Sequence, residues 1–218
     1  QLRGRSGRQG DPGASRFYCT NLNESQAALG RTAKVLERCL RAAAVKDAPQ
    51  AIILLGTCLT EMIADDFQAV ARRFSRREGI PVLALRTSGL RSGTQAELLD
   101  LLYTSLSTLA PRRRHRLPKG KRGLILVGMP AGGAVELQQT LDRLGLDLLA
   151  SFPRRGDLSA WLRLGDAEEA FFVDRSLYPR FAASLESRGM GAAEVPLPGG
   201  LGPSLRFFET IARRFAAA

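Results

Sequence analysis

Cys58 is the residue of this sequence best placed to do chemistry. It closes Gly56-Thr57-Cys58, directly after the apolar run AIILL at 51–55 and at the start of a helical stretch. Amides at a helix N-terminus favour the thiolate, the form of cysteine that reacts or binds metal. The alternative for Cys58 is a small buried apolar side chain, since free cysteine is among the most buried residue types. Cys19 stands beside Phe17 and Tyr18, and Cys39 falls on the apolar face of a helix, where a core role fits it. Three widely spaced cysteines with no CxxC give no disulfide framework and agree with a reducing, cytoplasmic setting. The only histidine, His115, lies in PRRRHRLPKGKR without an acidic neighbour, so the sequence lends a Ser-His-Asp mechanism or a histidine zinc site no support. Asp65 and Asp66 fall in the first turns of a helix and read as dipole compensation; adjacent carboxylates point in different directions around a helix and do not make an acid–base pair.

Three strand-to-helix loops position such groups: Gly56-Thr57-Cys58, Thr87-Ser88-Gly89 and Gly128 to Gly133. None is a G-x-G-x-x-G or G-x-x-x-x-G-K-[ST] loop, so the dinucleotide fingerprint and the Walker A site are both absent. Each reads as a tight turn, with phosphate binding as the alternative. The elements around them alternate. Helical spacing of apolar residues covers 24–46. AIILLG at 51–56 has the pattern of a strand buried on both faces of a parallel sheet. A helix with carboxylates early and arginines late runs to Gly79, a strand spans 80–85, and a helix spans about 94–109. After the basic stretch come strand 123–128, helix 133–144, strand 147–152, a short helix 157–164, strand 170–173, helix 177–188, strand 193–197 and helix 203–216. The fold class is therefore α/β, two Rossmann-like blocks with mostly parallel sheets. The expected organisation is a basic arm at 1–16 without fixed structure, a first domain at 17–110, a basic linker at 111–122 and a second domain at 123–218.

The 218 residues carry a net charge of +11. Residues 1–16 and 111–122 hold ten of those charges, so the excess belongs to the arm and the linker. Neither stretch has interleaved aromatics or a reader motif, which limits nucleic-acid binding to weak, salt-sensitive, sequence-independent contact. No apolar run approaches the roughly 18 residues of a membrane span, so no membrane partner is expected.

Residues 18–110 resemble the nitrogenase component 1 family. The likeness is carried by Tyr18-Cys19-Thr20-Asn21-Leu22-Asn23-Glu24, by Leu29-Gly30, and most specifically by AIILLGTCLTEMIADDFQAVARRFSRREGIPVLAL followed by TSGLRSGTQAE. Residues 123–216 resemble the family's next domain through Leu141-x-x-Leu144-Gly145-Leu146 and Pro196-Leu197-Pro198-Gly199-Gly200. The second block is most similar to the N-subunit branch, that of light-independent protochlorophyllide reductase. The resemblance implies a partial subunit of an oxidoreductase that is inactive alone. Its partners would be a homologous component-1-like subunit, in a heterodimer or heterotetramer, and an ATP-dependent iron-protein reductase. It implies Fe–S-mediated electron transfer to a tetrapyrrole, with Cys58 as a cluster (metal) ligand and Gly56 and Thr57 shaping the cofactor-binding loop. Cys19 and Cys39 match no ligand position of the family. A [4Fe–4S] cluster needs three or four thiolates, so the implied cluster requires ligands from other segments or from a partner. The alternative is a non-catalytic structural or assembly module that keeps the fold without the cluster.

Residues 1–18 resemble a different protein, the SecA preprotein translocase ATPase, at its Q-x-x-G-R-x-G-R helicase motif. Arg5 and Arg8 match arginine-finger positions there, but a finger acts only opposite a Walker A loop and Mg²⁺, so ATP hydrolysis is not expected.

Overall fold

The computed structural model describes residues 32–56, 67–86, 94–111, 117, 120–129, 134–152 and 158–216. The chain divides into two compact units, one up to Arg91 and one from Ser92 onward.

The described part of the first unit is a β–α–β core with one helix before it. Helix α1 (Thr32–Asp47) leads to β1 (Ile52–Gly56), then α2 (Phe67–Glu78) and β2 (Val82–Arg86). Phe67, Val70, Ala71 and Phe74 are buried along α2 at helical spacing, which is why this segment folds as a helix against a sheet. Val70 and Phe74 join Leu40 of α1 in a small core, with Ile52 and Val82 of the strands packed against it. Arg76 and Arg77 occupy the last turn of α2, where the helix dipole favours cations. Gly79 then takes φ 71°, its N–H returning to the Ser75 carbonyl, and the helix stops. On the outer surface Arg77 bridges Glu37 of α1 and Glu78, and its hydrogen bond holds the Glu37 carboxyl below its ordinary range.

β1 and β2 pair in parallel, Ile52 with Val82 through Gly56 with Arg86. The expectation of a β1 buried on both faces is corrected here. Ile53 and Leu55 are 45% and 52% exposed, because α1 and α2 both cover the face that carries Ile52 and Val82. An apolar run does not say how many layers cover it.

The second unit holds a four-stranded parallel sheet in the order β4-β3-β5-β6, made of β3 (Arg122–Val127), β4 (Leu146–Phe152), β5 (Ala167–Phe172) and β6 (Gly191–Glu194). Its helices are α3 (Gln95–Ser107), α4 (Ala134–Arg143), α5 (Leu158–Leu162, continued as a 3₁₀ turn to Asp166), α6 (Pro179–Glu186, preceded by a 3₁₀ turn at Arg175–Leu177) and α7 (Leu201–Ala216). Period-two alternation sends Leu124, Leu126 and Phe171 to one face, where Leu141 of α4 and Phe207, Ile211 and Phe215 of α7 bury them. Phe152 and Phe172 serve the other face and meet rings from α3, α5 and α6: Tyr103, Trp161 and Phe181, with Tyr178 beside them. A one-residue register shift at Leu149 and another at Glu168 disturb the ladder next to β3. Glu168, the residue passed over, bonds Arg122, whose guanidinium also lies 4.7 Å from the Phe215 ring centre. Glu169, largely buried, is held by Arg214 through Nη2 at 3.0 Å and Nε at 3.2 Å, which ties α7 to the sheet.

The structure draws the domain boundary earlier than the charge pattern does. α3, expected to end the first domain, belongs to the second unit. A capping box opens it: the Thr94 hydroxyl accepts from the Glu97 N–H at 3.2 Å, and Glu97 Oε2 accepts from the Thr94 N–H at 3.1 Å. Buried Asp100 then reaches across to α6, where its two oxygens accept the N–H groups of Arg180 at 3.2 Å and Phe181 at 2.8 Å. Ser107 shares a hydroxyl hydrogen bond with Ser184, and Arg188 donates to the Ala110 carbonyl. The Gly/Pro-rich stretch after 110 is therefore a connection inside the second unit.

Candidate functional site

Open parallel sheets bind ligands beyond the carboxyl ends of their strands, above all where neighbouring connections leave in opposite directions. In the first unit the carboxyl edge of the described sheet is formed by the ends of β1 and β2. Gly56 is buried there for a steric reason. A Cβ on it would lie 2.7 Å from Phe67 Cζ and 3.3 Å from the Leu85 carbonyl oxygen, so only glycine lets the strand end pack on α2. The chain leaves this closely packed point directly into Thr57 and Cys58. Thr57 and Cys58 themselves lie outside the described residues, as do Cys19, Asp65, Asp66, His115 and the Thr87-Ser88-Gly89 loop. Cys39, on α1, is a free thiol and only half-buried, so its place is the margin of the core rather than its centre.

In the second unit the corresponding edge is the end of β3. β3 has β4 on one side and β5 on the other, so the connections on either side of it diverge. Gly128 follows β3 with φ 85°, a conformation that glycine adopts without strain. Its N–H donates to the Phe152 carbonyl at 2.9 Å, and the Val173 N–H donates to the Val127 carbonyl at 3.0 Å, which stitches three strand ends together. Met129 turns inward to the core, and the loop continues through 130–133, outside the described residues.

Below these strand ends lies the aromatic cluster, which sequence reasoning did not single out. Phe152 and Trp161 stack at 4.2 Å between centroids, and Tyr103 lies within 5.8 Å of Phe152, Trp161, Tyr178 and Phe181. Burial, with a smaller contribution from Tyr178, pushes the Tyr103 hydroxyl up to about 12. Burial also raises Tyr178, helped by the negative charges of Asp100 and Asp174. Both phenols are neutral over the physiological range and cannot serve as bases there. The signal in the sequence is aromatics at the last positions of two strands, Phe152 and Phe172; their partners sit on helices far away in the chain.

Among the described residues no group of three or more His, Cys, Asp or Glu stands where it could hold a metal ion. The described residues therefore do not fit an iron–sulfur cluster by themselves. None of the described helices is long and apolar enough to cross a membrane.

Two doubly covered or partly covered parallel sheets, each with a glycine at the carboxyl end of a strand, define a Rossmann-like α/β protein. The chain belongs to the nitrogenase component 1 type oxidoreductase family, whose model matches residues 1–218. That match includes residues 1–18, the SecA-like stretch, which lies outside the described residues. Among its relatives is the nitrogenase iron-molybdenum cofactor biosynthesis protein NifE of Klebsiella pneumoniae, 26% identical over 186 residues, covering 78% of this chain and 40% of the relative. The light-independent protochlorophyllide reductase subunit N of Heliobacterium modesticaldum is also 26% identical, covering 92% of this chain and 51% of the relative. The solved structure "Nitrogenase Cp1 at pH 6.5" superposes with a TM-score of 0.69 at 20% identity, over 90% of this chain and 41% of that one, and shares the fold. The chain thus spans about half the length of the curated relatives it matches.

Proposed function

We propose that this chain is part of one subunit of a nitrogenase-component-1-type oxidoreductase. In this reading Cys58 supplies one thiolate to a [4Fe–4S] cluster completed by other segments or by a homologous subunit. Gly56 and Thr57 form the loop that presents it. The assembled complex, supplied by an ATP-dependent iron-protein reductase, passes electrons to a tetrapyrrole of the protochlorophyllide type. The observation that carries the reading is the steric lock at Gly56. A strand end with no room for a Cβ fixes the carboxyl end of β1, and Cys58 follows it two residues later in the sequence. Similarity to an N subunit over 92% of the chain supports the substrate class. One thiolate cannot hold a cluster of this kind, so the chain by itself carries none and is inactive alone.

A second reading, an assembly module without chemistry of its own, is favoured by the similarity to NifE, a cofactor biosynthesis protein by name. Anaerobic reconstitution with iron and sulfide separates the two. With a homologous component-1-like subunit present, visible absorption and an EPR signal on reduction are expected, and Cys58→Ser abolishes or alters both. A partner complex that stays colourless supports the assembly module, and a cluster indifferent to Cys58→Ser overturns the ligand assignment.

A further inference from the structure

The last helix carries a second apolar stripe, of which only Phe208 packs, half-buried, against the core of its own unit. Phe207, Ile211 and Phe215 of α7 are buried against the sheet. About a quarter turn away, Leu201, Leu205, Phe208 and Ala212 recur at spacings of four, three and four, the a/d pattern of a coiled-coil seam. Leu201 is 81% exposed and Leu205 54%, Ala212 is exposed and Phe208 half-buried, and Leu197 just before the helix is 46% exposed. Leucines at such positions are retained on a surface at a cost in solubility, and contiguous exposed apolar side chains mark a contact surface.

The charges beside the seam say what it fits. Glu209 lies on one flank, next to Arg213 at 3.4 Å. Arg206 folds back along the same flank, its Nη1 only 3.8 Å from where a Cβ on Gly202 would stand. When two copies of α7 meet antiparallel about a two-fold axis, Leu205 layers on Phe208 of the other copy and Leu201 on Ala212. In that register the stretch around Gly202 faces Glu209 of the other helix. The Arg206 guanidinium of each copy then meets the Glu209 carboxylate of the other, twice over by symmetry.

We propose that α7 is a self-complementary docking surface, and that a second copy of this chain binds there as an antiparallel helix pair. Because only one helix per copy takes part, the buried area falls at the low end for specific interfaces, and the dissociation constant is expected on the order of 10–100 µM. The surface is independent of Cys58, so its test stands apart from the cluster.

Sedimentation velocity of the full chain from roughly 1 to 300 µM is the experiment. Monomer–dimer exchange is expected for the wild type. Leu205→Glu, which places a carboxylate in the central layer, weakens the dimer by at least about tenfold. Arg206→Glu weakens it several-fold, and Arg206→Glu/Glu209→Arg recovers most of the loss, because the pair is reversed rather than broken. All three positions are exposed, so circular dichroism of the variants matches the wild type. A monomer throughout the range, a dimer indifferent to Leu205→Glu, or a double reversal no better than the single one would each overturn the proposal.

Discussion

Gly56 shows how one residue type fixes the packing of a strand end. Its place after an apolar run was legible as a strand end, but the cause was not, because Phe67 stands eleven positions on and meets it only once α2 folds back. Gly56→Ala inserts a methyl 2.7 Å from Phe67 Cζ, a ring too buried to swing aside freely. The expected cost is about 1–3 kcal/mol, read as a lower urea midpoint, and Phe67→Leu in the same chain recovers part of it. Thr57 and Cys58 were singled out on residue type and on resemblance. Tyr103 carries a second residue-scale consequence. Its folded pKa of about 12 lies above the ordinary value of 10, so the folded state holds the phenol proton more tightly than the unfolded chain does. The stabilisation is therefore complete below about pH 10 and is lost as pH rises toward 12, by roughly 2–3 kcal/mol for a two-unit difference. Tyr103→Phe should flatten that part of the stability profile, with the neutral-pH midpoint setting the baseline. A wild-type profile already flat from pH 10 to 12 would contradict the assignment.

At the scale of elements, the start of α6 has an uncommon solution. Its N-cap, Tyr178, offers no side-chain hydrogen bond, and Pro179 fills the first position, where no N–H is needed. The next two N–H groups are satisfied by Asp100 from another helix. A carboxylate at a helix N-terminus also meets the favourable end of the dipole. Asp100→Ala leaves two donors without their acceptor and is expected to cost about 2–4 kcal/mol in chemical denaturation, with Asp100→Asn intermediate. Helix α1 ends the opposite way. Ala48 takes φ 41° to return its N–H to Ala44, a conformation costly for any residue with a Cβ. Ala48→Gly should raise stability by up to about 1 kcal/mol, seen as a higher melting temperature. Periodicity located these helices and strands to within a few residues, because helix and strand spacing are local. The partners of Asp100, Ser107 and Arg188 lie some 80 residues away in sequence, so no local pattern could assign α3 to the second unit.

For the whole molecule, the net charge of +11 invited a nucleic-acid reading, and ten of those charges fall in 1–16 and 111–122. The β–α alternation was legible because parallel sheets require crossover helices, and both sheets are parallel throughout. How many layers cover β1, and which unit owns α3, depend on contacts that composition does not encode. The chain spans about half of its curated relatives, and the proposed function has the Cys58 thiolate completed into a cluster by other chains or segments. The most direct measurement is the iron content and reduced EPR spectrum of the anaerobically isolated complex with a homologous subunit, comparing Cys58→Ser with Cys39→Ser. Loss or alteration of the cluster in Cys58→Ser, with Cys39→Ser like wild type, is the predicted result. Equal iron and identical spectra in both variants would contradict it.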